Sequence, residues 1–295
     1  FLFTIAWVSI LDAVFTFLSK RIIDEGIIPR NSAVLTEIIV LYGGLIVVQA
    51  IGTFFFIYLA GVLGERVQYD LRKKLFDHLQ TLSFSYFSKT PVGWIMSRVT
   101  SDSERIAQLV TWGMLDVTWA IVNIITSMYF MARLNWRLSL IVLGTIPVLL
   151  IVAVYFKTKI LEQFRISRKL NSKITGEFNQ NITGVRVVKG LGREEANLRA
   201  FDHLTGDMRR ASYRAAWLSA LFLPAVQIIS AFAVGAVVLY TGMSADVAGM
   251  TVGSLQAFVS YVTFMMWPVQ DMARVYSEMQ QAIASAERTF SLLDA

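Results

Sequence analysis

Apolar and polar positions are arranged along this chain in long blocks. Residues 41–63, 138–156 and 215–245 contain no charged side chain, and these blocks are 23, 19 and 31 residues long. About 20 apolar residues of helix suffice to cross the ~30 Å hydrocarbon core of a bilayer. With the shorter apolar stretches added, the pattern predicts six membrane-spanning helices, at about residues 1–19, 38–63, 111–132, 138–156, 221–241 and 254–272.

Helical periodicity continues past the apolar blocks into two polar segments, residues 64–105 and 157–214. After the second span, Val67, Leu71, Leu75 and Leu79 recur every four residues. This spacing indicates an amphipathic helix that continues for about 20 residues, or ~30 Å, beyond the membrane. The pattern therefore predicts long helices that extend beyond the membrane and are joined there by short segments.

The distribution of charge predicts which side of the membrane each segment occupies. The chain is 55% hydrophobic and 16% charged, and of its 27 Lys and Arg residues 7 lie in residues 65–105 and 13 in residues 157–214. Cationic segments stay on the cytoplasmic side, so both extensions and both chain ends should be cytosolic. We expect a multi-pass protein of the plasma membrane, the inner membrane in a bacterium. Because acidic residues interleave with the basic ones, nucleic acid is not an expected partner.

Candidate catalytic chemistry is sparse in this sequence. It has no cysteine, two histidines, no phosphate-binding loop and no plausible pair of catalytic carboxylates. We therefore predict no catalytic residue and no metal site, and any energy source should act from outside this segment. Since Phe1 falls inside an apolar helix, we also expect the chain to be part of a longer protein.

Two tip sequences carry a more specific signal. Residues 87–102 read Phe-Ser-Lys-Thr-Pro-Val-Gly-Trp-Ile-Met-Ser-Arg-Val-Thr-Ser-Asp, and residues 182–194 read Ile-Thr-Gly-Val-Arg-Val-Val-Lys-Gly-Leu-Gly-Arg-Glu. They resemble the first and second intracellular turns of ABC exporters of the multidrug and lipid type. Residues 284–294 are similar to the exit of that family's sixth helix. The resemblance covers essentially the whole chain, with the three landmarks in the family's order.

This resemblance implies an all-α membrane protein with the ABC exporter transmembrane fold, in which six long helices extend into the cytosol and end in two coupling helices. In that family the coupling helices rest in grooves on the ATPase domains, the second usually on the partner subunit's domain. ATP-driven closure then rotates the membrane helices from inward- to outward-facing. The resemblance also implies ATP and Mg²⁺ on nucleotide-binding domains after residue 295. The partners would be a second, identical or different transmembrane domain, membrane lipid and a small amphipathic substrate.

The family motif assigns candidate residues to each turn. Those of the first coupling helix are Phe87, Thr90, Pro91, Gly93, Trp94, Arg98 and Asp102, and those of the second are Gln180, Gly184, Val188, Lys189 and Glu194. We expect Thr90 to cap a helix that starts at Pro91, and residues 101–104 to form a capping box. In the alternative interpretation, the apolar tip residues pack the base of their own loops.

Both turns depart from the family pattern. Trp94 and Gln180 replace residues that are usually acidic, which puts the usual polar contacts to the ATPase domains in doubt. The wording Gly-Trp-Ile-Met-Ser-Arg around Trp94 resembles a subgroup whose members often work as heterodimers.

A substrate cavity is a second hypothesis. Asp116 lies about one turn inside the third span, where a carboxylate could attract cationic substrates. Aromatic, Met and Gln side chains of the last two spans could line the same cavity, although such a stripe also fits ordinary helix packing. The candidate residues are Asp116, Phe222, Gln227, Phe258, Tyr261 and Met265.

We therefore predict the membrane half of an ATP-driven exporter of a drug, lipid or peptide. An ion-coupled carrier is one alternative, but it would need buried charges along a path, and an inverted repeat is not evident here. A membrane scaffold or sensor is the other alternative. A nucleotide-binding domain encoded after residue 295 would discriminate against both.

Overall fold

The computed structural model describes residues 1–243 and 250–294, and every regular element among them is helical. Three short π-helical segments, Ile22–Ile27, Arg98–Asp102 and Leu109–Gly113, join neighbouring helices. The α-helices are α1 (Leu2–Arg21), α2 (Ser32–Thr81), α3 (Phe84–Lys89), α4 (Val92–Ser97), α5 (Ser103–Gln108), α6 (Met114–Leu134), α7 (Trp136–Thr183), α8 (Val185–Gly190), α9 (Glu194–Met243) and α10 (Val252–Leu293).

The predicted long helices are confirmed by α2, α7 and α9. These helices contain 50, 48 and 50 residues, which corresponds to about 75 Å at 1.5 Å per residue. Each one combines an apolar block with one of the polar extensions, without a break between them. The amphipathic periodicity of the sequence was therefore a correct guide to helix length.

The connections between long helices are shorter than the sequence suggested. Beyond the predicted end of the first span at residue 19, the chain stays helical as far as Ile27, and α2 begins at Ser32 with the side chain of Asn31 accepting a hydrogen bond from the amide of Val34 at 3.3 Å. Asn135 alone separates α6 from α7, and its side chain accepts hydrogen bonds from the amides of Arg137 and Leu138. These asparagine caps satisfy helix N-termini that the turns would otherwise leave open.

The chain divides into two compact units, and residues 1–145 with 232–295 form the first. In this unit α1 packs against α2, α6 and α10, and α6 packs against α10. The Tyr261 hydroxyl of α10 donates a hydrogen bond to the carbonyl of Ala13 in α1 at 2.7 Å, and its ring stacks on Phe130 of α6. Tyr261 therefore ties three helices together at the centre of the unit.

Residues 146–231 form the second unit, which contains most of α7, α8 and the first part of α9. Side chains of α7 and α9 meet at regular intervals: Phe156 with Phe222, Ser167 with Ser212, Phe178 with Phe201, and Asn181 with Asn197. For each residue further along α7, the contacting residue in α9 lies about one residue earlier in the sequence. The two helices are therefore an antiparallel pair in constant register over 25 residues, about 37 Å of helix.

Five helical stretches of the described residues are long and apolar enough to cross a membrane. They are Leu2–Ile27, Ser32–Thr81, Val92–Leu134, Trp136–Thr183 and Glu194–Met243. Helix α10, with 42 residues, is long enough but is not among them. The count of six spans remains a prediction.

Candidate functional site: the two short-helix turns

The first turn consists of two short helices. Helix α3 ends at Lys89, where the amide of Thr90 donates to the carbonyl of Tyr86 at 3.0 Å, and α4 begins after Pro91 without a side-chain cap. The prediction that Thr90 caps the second helix is wrong, because Thr90 closes the preceding helix. The predicted capping box at residues 101–104 is also absent, since the backbone of Asp102 is already helical and its carboxylate binds arginines.

Helix α4 presents an apolar surface on one side. Val92 and Met96 are 68% and 54% exposed, whereas Ile95 is buried. Gly93 lies on the exposed side, and a Cβ added there would meet nothing within 4 Å. Phe87, at the end of α3, is 39% exposed. The tip of the first turn is therefore an apolar surface that none of the described residues covers.

Behind this surface lies a buried ionic network. Asp102, whose side chain is 2% exposed, accepts hydrogen bonds from both Nη2 and Nε of Arg288 at 2.8 and 3.1 Å. Arg98 approaches the same carboxylate at 3.4 Å, and its guanidinium lies 4.1 Å from the ring centroid of Trp94. Trp94 of α4 is thus connected through two charged residues to α10.

The network changes the acidity of Asp102. Burial raises the pKa of the carboxyl group, but hydrogen bonds from Arg288 and Ser285 and the charges of Arg288 and Arg98 outweigh it, so the net pKa is below the ordinary value. A lowered pKa keeps Asp102 ionised at neutral pH. The carboxylate is thus a permanent anchor for the arginines around it.

The second turn is α8, held between α7 and α9. Gly184 separates α7 from α8, and its amide donates to the carbonyl of Gln180 at 2.8 Å. A Cβ at Gly184 would lie 2.8 Å from that same carbonyl oxygen, so a side chain cannot be added without a shift of the backbone. Gly192, with φ of +61°, ends the turn in the left-handed conformation that is common just after a helix.

The apolar residues of the second turn face two directions. Val188 is half-buried and lines a groove of about 280 Å³ with Phe178, Leu198 and Phe201. The sequence placed Val188 at the tip, but it packs the base of the loop, as the alternative interpretation had it. Its neighbour Val187 and the following Leu191 are 64% and 68% exposed. Lys189 and Glu194 form only a solvent-exposed pair at 4.0 Å.

The residues proposed for a substrate cavity lie in different surroundings. In the first unit, Phe258, Tyr261 and Met265 are 0% exposed and belong to the core of that unit. In the second unit, Phe222 packs against Phe156 and Gln227 is exposed. Contact of the three buried side chains with a ligand would require α10 to separate from its neighbours, and the cavity assignment remains a prediction.

Asp116 is part of a charged cluster beside an apolar pocket. Arg274 donates to Asp116 at 2.9 Å, and it also binds Asp271 and Glu278. The pocket next to this cluster has a volume of about 220 Å³ and is lined by Trp119 and Trp267 as well as Asp116. Asp116, predicted as a carboxylate that could attract cationic substrates, is therefore paired with Arg274.

The arginines of α10 are functional candidates that the sequence pattern does not reveal. Neither Arg274 nor Arg288 was singled out, because cations near the end of a span are expected from membrane topology alone. Their spacing gave a weak signal: Arg274 lies three and four residues from Asp271 and Glu278, the distance at which side chains of a helix meet. The contact of Arg288 with Asp102 joins residues 186 positions apart and has no local signal.

The arrangement is that of a helical membrane domain in which two turns carry short helices with exposed apolar side chains. Comparison with known proteins agrees. The family model for the ABC transporter transmembrane region matches residues 1–269, so this chain belongs to that family. It is a multi-pass integral membrane protein that carries the transmembrane region of an ABC transporter.

Several relatives resemble the chain over nearly its whole length. A Streptococcus pneumoniae protein described as an ABC transporter ATP-binding protein is 28% identical over 291 residues, which are 97% of this chain and 49% of the relative. The ATP-dependent lipid A-core flippases of Pseudoalteromonas translucida and Haemophilus influenzae are 26% and 27% identical, over 96% and 97% of this chain and 49% of each relative. The chain thus spans about half the length of these curated relatives.

Proposed function

We propose that this chain is the membrane-spanning half of an exporter that uses ATP to move amphipathic compounds out of the cytosol by alternating access. Helices α4 and α8 act as coupling helices, which rest on nucleotide-binding domains that hold ATP and Mg²⁺. The names of the flippase relatives support an amphipathic substrate. In this proposal both chain ends and both tips are cytosolic.

The observation that carries the proposal is the exposed apolar surface at each tip. Val92 and Met96 of α4, and Val187 of α8, are all more than half exposed at the far ends of long helices. Exposed apolar side chains at a tip outside the membrane gain free energy when a partner covers them. A long, continuous helix then transmits a rigid-body movement of that partner into the membrane.

A second transmembrane domain is the other partner in the proposal. In the most apolar 18-residue stretch of α2, only 6% of the residues are buried within the described part of the chain, and Phe54 on this helix is 64% exposed. Lipid and a second copy or a related chain would together cover this surface. A pair of such domains also provides the two halves that alternating access requires.

Replacement of Gly93 tests the coupling role in the full-length transporter. Because the space around Gly93 is empty, Gly93→Trp should leave the fold intact and obstruct only a partner docked on α4. We expect ATP hydrolysis to continue while the rate of ATP-dependent transport falls about tenfold or more. Each factor of ten corresponds to about 1.4 kcal/mol of activation free energy for transport. Transport of a fluorescent amphipathic dye into inside-out vesicles, with and without ATP, measures this loss.

Gly206→Trp serves as the matched control, since Gly206 also has nothing within 4 Å of an added Cβ but lies inside α9, 12 residues after the start of that helix. This variant should transport at nearly the wild-type rate. Full transport by the Gly93 variant would count against docking at α4. Gly184 is less suitable for the same test, because its substitution strains the backbone whether or not a partner docks there.

A further inference from the structure

The C-terminal part of α10 carries a buried stripe against the first intracellular turn. Ser285, Thr289 and Leu292 are each 0% exposed, and they recur at helical spacing on one side of α10. This stretch of α10 packs against Arg98–Asp102 and α5. The first turn is therefore in direct contact with the helix that ends the chain, as well as being connected to α2 and α6 through the backbone.

Arg288 makes the specific polar contact in this interface. Its two nitrogens bind the two oxygens of Asp102, and Nη2 also donates to the hydroxyl of Ser285 at 2.9 Å. A two-point contact between a guanidinium and a carboxylate fixes both distance and orientation, which a single hydrogen bond does not. Asp102 has little access to water, so water cannot replace Arg288 at low cost.

We propose that Arg288 is a positioning residue that clamps Asp102, so that the first turn, from α4 to Asp102, and the C-terminal part of α10 move as one rigid body. The clamp continues through Arg98 to Trp94, whose ring stacks on the Arg98 guanidinium. This assignment rests on the proposed coupling role of α4. As a consequence, a displacement of α4 by a docked partner is transmitted to α10 through these side-chain contacts. It does not first pass through the membrane-spanning part of α6.

The clamp also gives Trp94 a function. A carboxylate at position 94 would compete with Asp102 for Arg98, whereas the indole ring binds the face of the guanidinium and leaves its edge free for Asp102. The aromatic residue thus holds Arg98 between the tip and the carboxylate. The connection from tip to α10 consists of three consecutive contacts: ring to guanidinium, guanidinium to carboxylate, and carboxylate to Arg288.

Spin labels can test whether the two segments move together. The sequence has no cysteine, so Thr100→Cys and Ile283→Cys introduce a single pair of labelling sites into this domain, one on each segment and both exposed. Electron spin resonance on the full-length transporter, with labelled chains diluted in unlabelled ones, gives the distribution of distances between the labels. In the otherwise unchanged protein we expect one narrow distribution that is the same without nucleotide and with trapped ATP.

Arg288→Gln should broaden this distribution in the nucleotide-free state and make it depend on nucleotide. Arg288→Lys keeps a cation beside Asp102 and should fold even where the Gln variant does not, but without the planar fork it should still be broader than the parent. Arg105 is the matched control: it faces the same carboxylate at 4.0 Å from an exposed position, so Arg105→Gln should keep the narrow distribution.

A distribution that stays narrow in both Arg288 variants would overturn the clamp. Equal broadening by Arg105→Gln would overturn it too, because the effect would then reflect charge alone. The width without nucleotide needs no ATP hydrolysis. If the parent protein neither hydrolyses ATP nor responds to it, the proposed function fails, and the width still decides whether Arg288 joins the two segments.

Discussion

At the residue scale, Asp24 and Gly253 form a polar contact at the start of α10. Asp24 accepts a hydrogen bond from the amide of Gly253 at 2.9 Å, a second one from the hydroxyl of Thr251, and an ion pair from Lys20 at 3.3 Å. A carboxylate at the N-terminus of α10 satisfies open amides and interacts favourably with the helix dipole. This contact joins the connection after α1 to the start of α10.

Gly253 leaves no room for a side chain. A Cβ there would lie 2.6 Å from the carbonyl oxygen of Lys20 and 2.7 Å from Oδ1 of Asp24. Gly253→Ala should therefore push α10 away from Asp24 and destabilise the protein by about 1–3 kcal/mol. Thermal unfolding of the full-length protein in detergent, followed by tryptophan fluorescence, measures the change.

Gly235→Ala provides the comparison, since an added Cβ meets nothing within 4 Å at that position in α9. Alanine is favoured over glycine in a helix by about 1 kcal/mol, so this variant should be as stable as the parent or slightly more stable. The steric argument would be wrong if both alanine variants unfolded at the same temperature.

Individual residues of the two turns were only partly predictable. The motif identified Asp102 and Arg98 from local sequence, and the structure joins them in one network. The motif could not identify Arg288, because its contact with Asp102 depends on how α10 packs against the first turn. The motif also placed Val188 at the tip of the second turn, although its neighbour Val187 is more exposed. On a six-residue helix, the exposed side depends on where the helix begins, and sequence fixes this poorly.

At the element scale, the α7 and α9 pair shows what periodicity can predict. Apolar residues at helical spacing indicated that both helices extend far beyond their spans, and α7 continues to Thr183 as expected. The constant register of the pair was not predictable, because it depends on contacts across the two helices. Phe178 and Phe201, with ring centroids 4.8 Å apart, and the Asn181–Asn197 hydrogen bond hold the end of the pair next to α8.

Neighbouring valines of α8 allow docking and folding to be separated. Val187→Asp changes an exposed position, so we expect normal thermal stability but loss of ATP-dependent transport, because a charge would enter an apolar contact. Val188→Asp puts a carboxylate into the groove beside Phe178 and Phe201 and should destabilise the second unit by about 1–3 kcal/mol. Unfolding temperature and dye transport, measured on both variants, distinguish the two effects. Equal loss of stability in the two would show that α8 has no free apolar side.

At the scale of the whole molecule, composition predicts the class of protein, a helical membrane protein. The structure adds the exposed apolar side chains of α4 and α8. Long uncharged blocks and two basic extensions were enough to predict a helical membrane protein, because hydrocarbon thickness sets helix length. The division into two compact units was not predictable, since the boundaries fall inside α7 and α9, at residues 145–146 and 231–232, where the helices continue without a break. A helix that belongs to two units leaves no linker for sequence analysis to recognise.

Sidedness is the whole-molecule property on which the proposed function depends. Because the chain has no cysteine, Lys189→Cys and Asn31→Cys each introduce a single labelling site, in α8 and in the connection before α2. The excess of basic residues around α8 predicts that position 189 is cytosolic and position 31 is on the other side. A membrane-impermeant maleimide should label the Lys189 variant in inside-out vesicles only and the Asn31 variant in right-side-out vesicles only. The reverse result would put both tips on the side away from cytosolic ATP, and a nucleotide-driven coupling role for α4 and α8 would then be impossible.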